Sequence, residues 1–253
     1  KISLNNLNVL NSFQIEKFFP ESKKELEILN HRINLNFEND NFSIEGKGKI
    51  LIQNKEDLIN YSVKLNDNDY KFSSTLELVN NRLLLDFLNY KKDENNKLEL
   101  KINGSNTKGK TFFESIILEE NYNNFEIKNL VLTDDLKIDN FEMIKLYYFD
   151  QENMKNDLKI NKRKTDYLIS GNFFNSSKIL DILTSDDDQK DLKIFKRNFD
   201  FVFKIKEVYL DKENVIKNLK GKLRYQKNEI ADANLDAYFS DSEKFSLTIK
   251  SDN

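Results

Sequence analysis

The sequence predicts a mainly β fold: an elongated, curved antiparallel sheet with a few short helices, its apolar face either lining a groove or closed into a core. Three observations carry that prediction. Apolar residues alternate with polar ones along most of the chain, which is the period of a strand with one covered and one wet face. The runs are separated by polar clusters such as Glu38-Asn39-Asp40-Asn41, Asn66-Asp67-Asn68-Asp69 and Lys92-Asp93-Glu94-Asn95-Asn96. Asn and Asp tolerate left-handed backbone and bond their own main chain, so they can form turns in a chain with only six Gly and one Pro. Finally, 33% of residues are charged, which alone would suggest disorder, but 20 Phe and an aromatic content of 12% point to a packed chain. Parallel strands covered on both faces would read as continuous apolar runs, and these do not.

Taken in order, Ser12 to Phe19 reads as a short helix ended by Pro20, and Ser22 as the cap of a second helix over Lys23 to Leu29. The alternation then starts with Ile33, Leu35 and Phe37. It continues through Phe42 and Ile44, Ile50 and Ile52, and Tyr61, Val63 and Leu65. Next come Tyr70 and Phe72, Leu76 and Leu78, and Leu83, Leu85 and Phe87, followed by Leu98, Leu100 and Ile102. Phe125 and Ile127, Leu130 and Leu132, and Tyr167 and Ile169 extend the pattern. Asn175 or Ser176 is placed to cap a helix over Lys178 to Leu183 that carries Ile179, Leu180, Ile182 and Leu183 on one face. The clearest late run is Phe199, Phe201, Phe203 and Ile205; Leu223 and Tyr225, then Phe245, Leu247 and Ile249, close the series. The chain reads as a single β-rich segment, 1–253, of a longer protein, with its weakest point near 186–191.

Charge narrows the function. Forty Lys and Arg stand against 43 Asp and Glu, a net charge of -3, without the basic surplus of a nucleic-acid binder. The absence of Cys removes disulfides, thiolate metal sites and Cys nucleophiles together. No apolar run approaches the ~20 residues that span a bilayer, so any contact with a membrane is expected from regions outside this segment.

Three motifs suggest chemistry. Gly104-Ser-Asn-Thr-Lys-Gly109-Lys110-Thr111 satisfies the phosphate-loop pattern, and Leu146-Tyr-Tyr-Phe-Asp150 resembles a strand ending in a magnesium-holding Asp. A phosphate loop needs a buried parallel strand before it. Here the preceding Leu-Glu-Leu-Lys-Ile is charged at alternate positions, so a hairpin loop is the better reading. His31, the single histidine, has no orienting acid or nucleophile identified beside it and reads as structural or surface. Asp186 to Asp188, with Asp181 and Asp191, lack the spacing, central Gly and terminal Glu of a calcium loop.

The last third of the chain resembles the AsmA-like superfamily, in particular its YhdP-like and alphaproteobacterial members. The resemblance rests on Tyr167-Leu-Ile-Ser-Gly171-Asn-Phe-Phe-Asn-Ser-Ser-Lys-Ile-Leu-Asp-Ile-Leu183, which is similar to the family's strand, Gly, small turn and short helix. Asn175 stands where the family usually has Asp. Phe199 to Leu210, Asn214 to Tyr225, Ile230 to Phe239 and Phe245 to Ile249 resemble the strands that follow. Over residues 1–166 only the general alternating habit is shared. The resemblance implies a periplasmic, inner-membrane-anchored protein whose β groove conducts phospholipid or another envelope lipid toward the outer membrane. It implies no catalysis and no cofactor. The groove lining would be Ile33, Leu35, Phe37, Tyr61, Val63, Leu65, Leu98, Leu100 and Ile102, then Phe201, Phe203, Ile205, Leu223, Tyr225, Phe245, Leu247 and Ile249. The same alternation equally suits a structural or interaction module of the envelope, with a closed core and no ligand.

Overall fold

The computed structural model describes residues 1–10, 15–38, 41–66, 69–107, 110–133, 135, 137–184, 195–227 and 229–250. Strand accounts for 71% of the structure, and sixteen strands belong to one open, mostly antiparallel sheet that is not closed into a barrel. The chain divides into two compact units, Lys1–Asn124 and Phe125–Asn253. The 186–191 stretch lies outside the described residues.

In the first unit the strands are β1 (Ile2–Leu10), β2 (Glu25–Glu38), β3 (Asn41–Leu51), β4 (Glu56–Asn66), β5 (Asp69–Leu78), β6 (Leu83–Leu85), β7 (Tyr90–Lys92), β8 (Leu98–Thr107) and β9 (Lys110–Glu120). Their order β1-β2-β3-β4-β5-β8-β9 is an antiparallel meander, with β6 and β7 set aside as a small two-stranded sheet. Two expectations are corrected here. Lys23 to Leu29 does not form a helix: Glu25–Leu29 is the start of β2, paired with β1 and β3. Pairing on both sides outweighs the capping signal, and Ser22 Oγ, rather than capping anything, is buried without a hydrogen-bond partner. Leu83, Leu85 and Phe87 do not continue the main sheet. They enter β6 and a 3₁₀ turn, Asp86–Leu88, closed by Asn89 in the left-handed region. Of the helix expected from Ser12, the described part is a single 3₁₀ turn, Ile15–Lys17; residues 11–14 lie outside the described residues.

The second unit contains β10 (Asn123–Leu132), β11 (Ile138–Asn140), β12 (Met143–Phe149), β13 (Lys155–Lys162), β14 (Tyr167–Asn175), α1 (Ser177–Thr184), β15 (Phe199–Tyr209), β16 (Val215–Gln226), β17 (Glu229–Tyr238) and β18 (Lys244–Lys250). From β12 to β18 it is again a meander, except that β14 and β15 pair in parallel across a crossover containing α1. The helix lies where the capping pattern predicts. Asn175 Oδ1 accepts from Ser177 N–H at 3.1 Å, while Ser176 Oγ–H donates to the Tyr209 carbonyl at 2.9 Å.

Asn supplies the irregular backbone. Among the described residues nine non-glycines have positive φ, and seven of them are Asn: 30, 89, 95, 121, 129, 153 and 218. Asn30 and Asn218 sit at register shifts in the β2–β3 and β16–β17 ladders. A bulge of this kind adds one residue to one strand and resets its phase. In β2 the shift lets Ile33, paired with Gly46, and Ile28, paired with Ile50, share a face although five residues separate them. β1 follows, pairing Ile2 with Ile33, Leu4 with His31, Leu7 with Ile28 and Val9 with Leu26. Ile2, Leu4, Leu7 and Val9 of the edge strand therefore lie on one side.

Candidate functional site

Register decides which predicted residues meet. In the first unit one row runs Leu35, Ile44, Val63, Phe72, Gly104, Phe113 across β2, β3, β4, β5, β8 and β9. A parallel row runs Ile33, Gly46, Tyr61, Ser74, Ile102, Ile116. A third, toward the hairpin tips, runs Phe37, Phe42, Leu65, Tyr70. On the other side, Gly48, Ile59, Leu76, Leu100 and Leu118 form a fourth, beyond which Leu98 pairs with Leu78. All nine predicted residues of this unit thus share one face. The opposite face carries Glu45, Lys47 and Lys49 on β3, Lys71 and Glu77 on β5, and Glu99 and Lys101 on β8.

Burial on the apolar face falls along each strand. Leu78 and Leu98 are fully buried at one end; Val63, Phe72 and Ile102 are half-buried in the middle. Toward the tips Leu65 is 36%, Tyr70 39% and Phe37 79% exposed. The buried end is stoppered by the 79–97 excursion together with Phe19, Ile52, Leu83 and Tyr90. Polar groups fix this stopper. Asp57 accepts from the N–H groups of Val79, Asn80 and Asn81 at 2.8, 2.9 and 3.1 Å. Lys92, with no exposed surface, donates to the Val79 and Asn81 carbonyls at 2.9 and 2.7 Å, and its burial lowers its pKa. Tyr90 O–H donates to Glu120 at 2.6 Å; burial first and this carboxylate second push its pKa up.

His31 lies on the same face, buried. Its Nε2–H donates to the Lys49 carbonyl at 3.0 Å, leaving Nδ1 to accept from Tyr61 O–H at 3.3 Å. The rings of Tyr61 and His31 lie across β3 because Gly46 and Gly48 have no Cβ; one added there would meet ring atoms at 2.1 Å. The residue is a buried, hydrogen-bonded part of the face.

In the second unit, Tyr167, Phe201, Leu223, Ala233 and Ile249 form one row, and Ile160, Ile169, Phe203, Gly221, Leu235 and Leu247 the next. Ile205 pairs with Leu219, Phe245 with Ala237, and Tyr225 with Phe199. The eight predicted residues of this unit share a face too. It is less open. Ile205 packs in a buried cluster with Leu158, Val208, Ile216, Leu219 and Ala237, against which Phe203 and Phe245 rest. At the far end Tyr225 is buried in a group of rings with Phe195, Phe199 and Phe201. Arg197 holds the approach to Phe199 through a two-pronged ion pair with Asp139. The list of predicted lining residues lacked β17, where Ala233, Leu235 and Ala237 alternate with Asp232, Asn234 and Asp236. The alternation was visible, but alanine is a weak apolar marker.

The phosphate-loop pattern lies in a hairpin. Gly104 to Thr107 belong to β8, and Lys110 opens β9, paired with Thr107; residues 108 and 109 lie outside the described residues. Gly104 is required by packing, since a Cβ would lie 2.4 Å from the Phe112 carbonyl oxygen and 2.7 Å from the Phe72 ring. Asp150 is a turn residue: its carboxylate accepts from Glu152 and Met154 N–H and from the Asn175 amide. A hollow on the polar side is lined by Lys49, Glu56 and Glu77, with Lys49 and Glu56 ion-paired at its wall. Among the described residues no group of three or more His, Asp or Glu is placed to hold a metal ion, and no helix is long and apolar enough to cross a membrane. Asp186 to Asp188 and Asp191 lie outside the described residues. No known family, curated protein or solved structure matches this chain.

Proposed function

We propose that this chain is a stretch of an AsmA-like, inner-membrane-anchored periplasmic protein whose β surface conducts phospholipid or a similar envelope lipid. The observation that supports this reading is the one-sidedness of the first unit. Apolar side chains, mostly half-buried or exposed, stand in rows on one face, with Gly46, Gly48, Gly104 and Ser74 among them, and the other face carries mainly polar and charged side chains. Contiguous exposed apolar surface of this kind marks a binding surface.

Burying a CH₂ is worth roughly 0.8 kcal/mol, so a 16-carbon acyl chain resists water by on the order of 10 kcal/mol. Rows of Leu, Ile, Val and Phe that replace that water remove most of the barrier. Adjacent strands about 4.8 Å apart let a chain pass from one strand to the next through small, similar steps. No side chain has to do chemistry, and neither a cofactor nor nucleic acid enters the reading. The second reading, a structural module with a closed core, is favoured in the second unit by the fully packed cluster around Ile205 and Leu219.

The experiment places a photo-crosslinking residue at Val63 and at Phe203 in cells and follows Val63→Asp beside it. A conduit gives lipid adducts at both positions. It also gives a Val63→Asp protein that melts close to wild type but no longer passes lipid, because a half-exposed carboxylate stays hydrated while blocking the path. Ile205→Asp, within the packed cluster, unfolds its unit in either case and calibrates the assay. No adduct at Val63, together with an unfolded Val63→Asp protein, removes the conduit and leaves the closed module.

A further inference from the structure

In the second unit the face opposite the apolar rows carries a line of lysines. Register sets Lys145 opposite Lys159, Lys159 opposite Ser170, Ser170 opposite Lys204, and Lys204 opposite Lys220. The line crosses β12 to β16 in the middle of the sheet, over about 19 Å at the usual strand spacing. All four lysines are exposed. Lys222, two residues along β16, widens the patch, and its cross-strand neighbours are the uncharged Val202 and Asn234.

This arrangement works against the sheet. Like charges directly opposite across an antiparallel ladder are destabilising, and the row contains two such pairs, Lys145–Lys159 and Lys204–Lys220. Isolated pairs of this kind occur in the first unit, at Arg32–Lys47 and Lys64–Lys71. Its longer run of like charges, Glu77, Glu99 and Glu119, is neutralised by Lys97 and Lys101. The lysine row has no such counter-charge. Among the described residues no carboxylate forms an ion pair with Lys145, Lys159, Lys204, Lys220 or Lys222. The acids on that face are engaged elsewhere. Asp157 accepts from the Asn172 amide, Asp200 holds Arg224, and Asp236 holds Lys244 and Ser246. Glu207 lies opposite Lys217.

We propose that this lysine face docks on the anionic surface of a phospholipid bilayer. The residue type selects the partner. Lysine carries a point charge on a flexible stem, whereas the planar fork of arginine fixes one carboxylate or phosphate in place. A row of Lys without Arg suits many mobile phosphates at no set positions, which is what a fluid bilayer presents. Single-stranded nucleic acid would call for rings on which bases can stack. The rings nearest the row, Tyr147 and Phe173, instead have the Lys155 ammonium over them, at 5.0 and 5.6 Å from their centroids. The net charge of -3 opposes approach to an anionic surface, so this face alone carries the attraction. Such a contact needs no apolar span, and it holds whether or not the opposite face carries lipid.

Each lysine near an anionic bilayer strengthens binding by about fivefold. The 253-residue chain is floated with phosphatidylcholine vesicles, with and without added phosphatidylglycerol, at low and high salt. It should bind only the anionic vesicles and come off at high salt. Lys204→Gln should weaken binding by about fivefold, and Lys159→Gln with Lys204→Gln by about 25-fold. Lys101→Gln removes the same charge from a residue already paired in the first unit, and should leave binding unchanged. Lys204→Glu sets a carboxylate opposite Lys220, so its melting temperature should match or exceed wild type while binding falls further, which separates lost docking from lost fold. Absence of binding to anionic vesicles at low salt overturns the proposal. So does equal binding to neutral vesicles, and so does an equal effect of the glutamine variants at 204 and 101. A single-stranded oligonucleotide that strips the chain from vesicles at matched phosphate concentration would make the partner a nucleic acid and overturn it as well.

Discussion

Replacing Asn175 by Asp tests how the turn before α1 is built, at the position where the resembled family usually carries the acid. In this chain the Asn175 side chain is used in both senses. Its Oδ1 accepts from Ser177 N–H, and its Nδ2 donates to Asp150 Oδ2 at 2.7 Å. Asn175 and Asp150 are both buried. An Asp there keeps the acceptor and loses the donor, setting two carboxylates against each other. Losing the charged hydrogen bond costs about 1.5–3 kcal/mol. Two carboxylates relaxed to about 4 Å repel by about 4 kcal/mol at an effective dielectric of 20. The chain can escape the repulsion by protonating the new carboxyl, which restores a donor. At pH 7 that costs about 1.36 kcal/mol for each unit above its ordinary value near 3.9, roughly 4 kcal/mol in all. The cheaper route sets the deficit at pH 7, about 4 kcal/mol. Its pH dependence has a definite sign. The new carboxyl binds its proton more tightly folded than unfolded, so the deficit is absent below about pH 4, grows as pH rises, and levels off above the raised pKa. Urea unfolding of Asn175→Asp, Asn175→Ala and wild type from about pH 4 to pH 8 measures this, with the alanine variant losing its bond without that slope. A loss under about 1 kcal/mol at pH 7, or one that does not change with pH, would refute this account of the turn.

Three further outcomes follow from the geometry. Gly221→Ala should destabilise the second unit by more than about 2 kcal/mol in urea unfolding, because φ is 146° and a Cβ would lie 2.0 Å from the Asn234 carbonyl oxygen. Burial raises the pKa of Tyr90 and Tyr148, so their contribution is intact below about pH 10, where unfolded tyrosine ionises, and is lost as pH climbs further; the tyrosinate absorbance that belongs to Tyr148, isolated as the difference between wild type and Tyr148→Phe, should therefore appear together with loss of the β circular-dichroism signal, and a difference signal that leads it by a full pH unit would contradict the burial. Magnesium ATP should give no binding heat with wild type or with Lys110→Ala, since Lys110 opens a strand and no helix N-terminus faces a phosphate there.

The strands were legible because their cause is local. Ile33, Leu35 and Phe37, or Phe201, Phe203 and Ile205, announce a two-faced strand in any register. Register follows the same cause: each run sets its apolar side beside its neighbour's, and the seventeen residues expected to line a groove share one face within each unit. What the alternation hid was its own interruptions. Leu26 and Ile28 stand out of phase with Ile33 in sequence, which lets the stretch pass for a helix after Ser22. In space Asn30 absorbs the extra residue and restores the phase. Leu83, Leu85 and Phe87 alternate like a strand of the main sheet, yet Asp57 and Lys92, far apart in sequence, hold that stretch across the strand ends instead. The parallel pairing of β14 and β15 was not read from composition either. Its sequence trace is α1, the kind of long connection that parallel neighbours need and a hairpin does not.

The parallel pairing of β14 and β15 has a consequence for how the chain comes together in time. Most strands pair with the one made just before, so a growing chain can add them one at a time through short loops, each closing in microseconds. β15 is an exception, as β8 is in the first unit, where β6 and β7 intervene before it meets β5. Its partner β14 is complete at Asn175, but the first residue of β15 is Phe199, and the stretch between must be traversed before the two can meet. Until then β14 presents an unsatisfied edge bearing Phe173 and Phe174. Assembly that is sequential from β12 to β14 stalls there and resumes from β15 to β18 as a separate local meander. The second unit should therefore show a slow phase, assigned to docking of the two halves along Tyr167–Asn175.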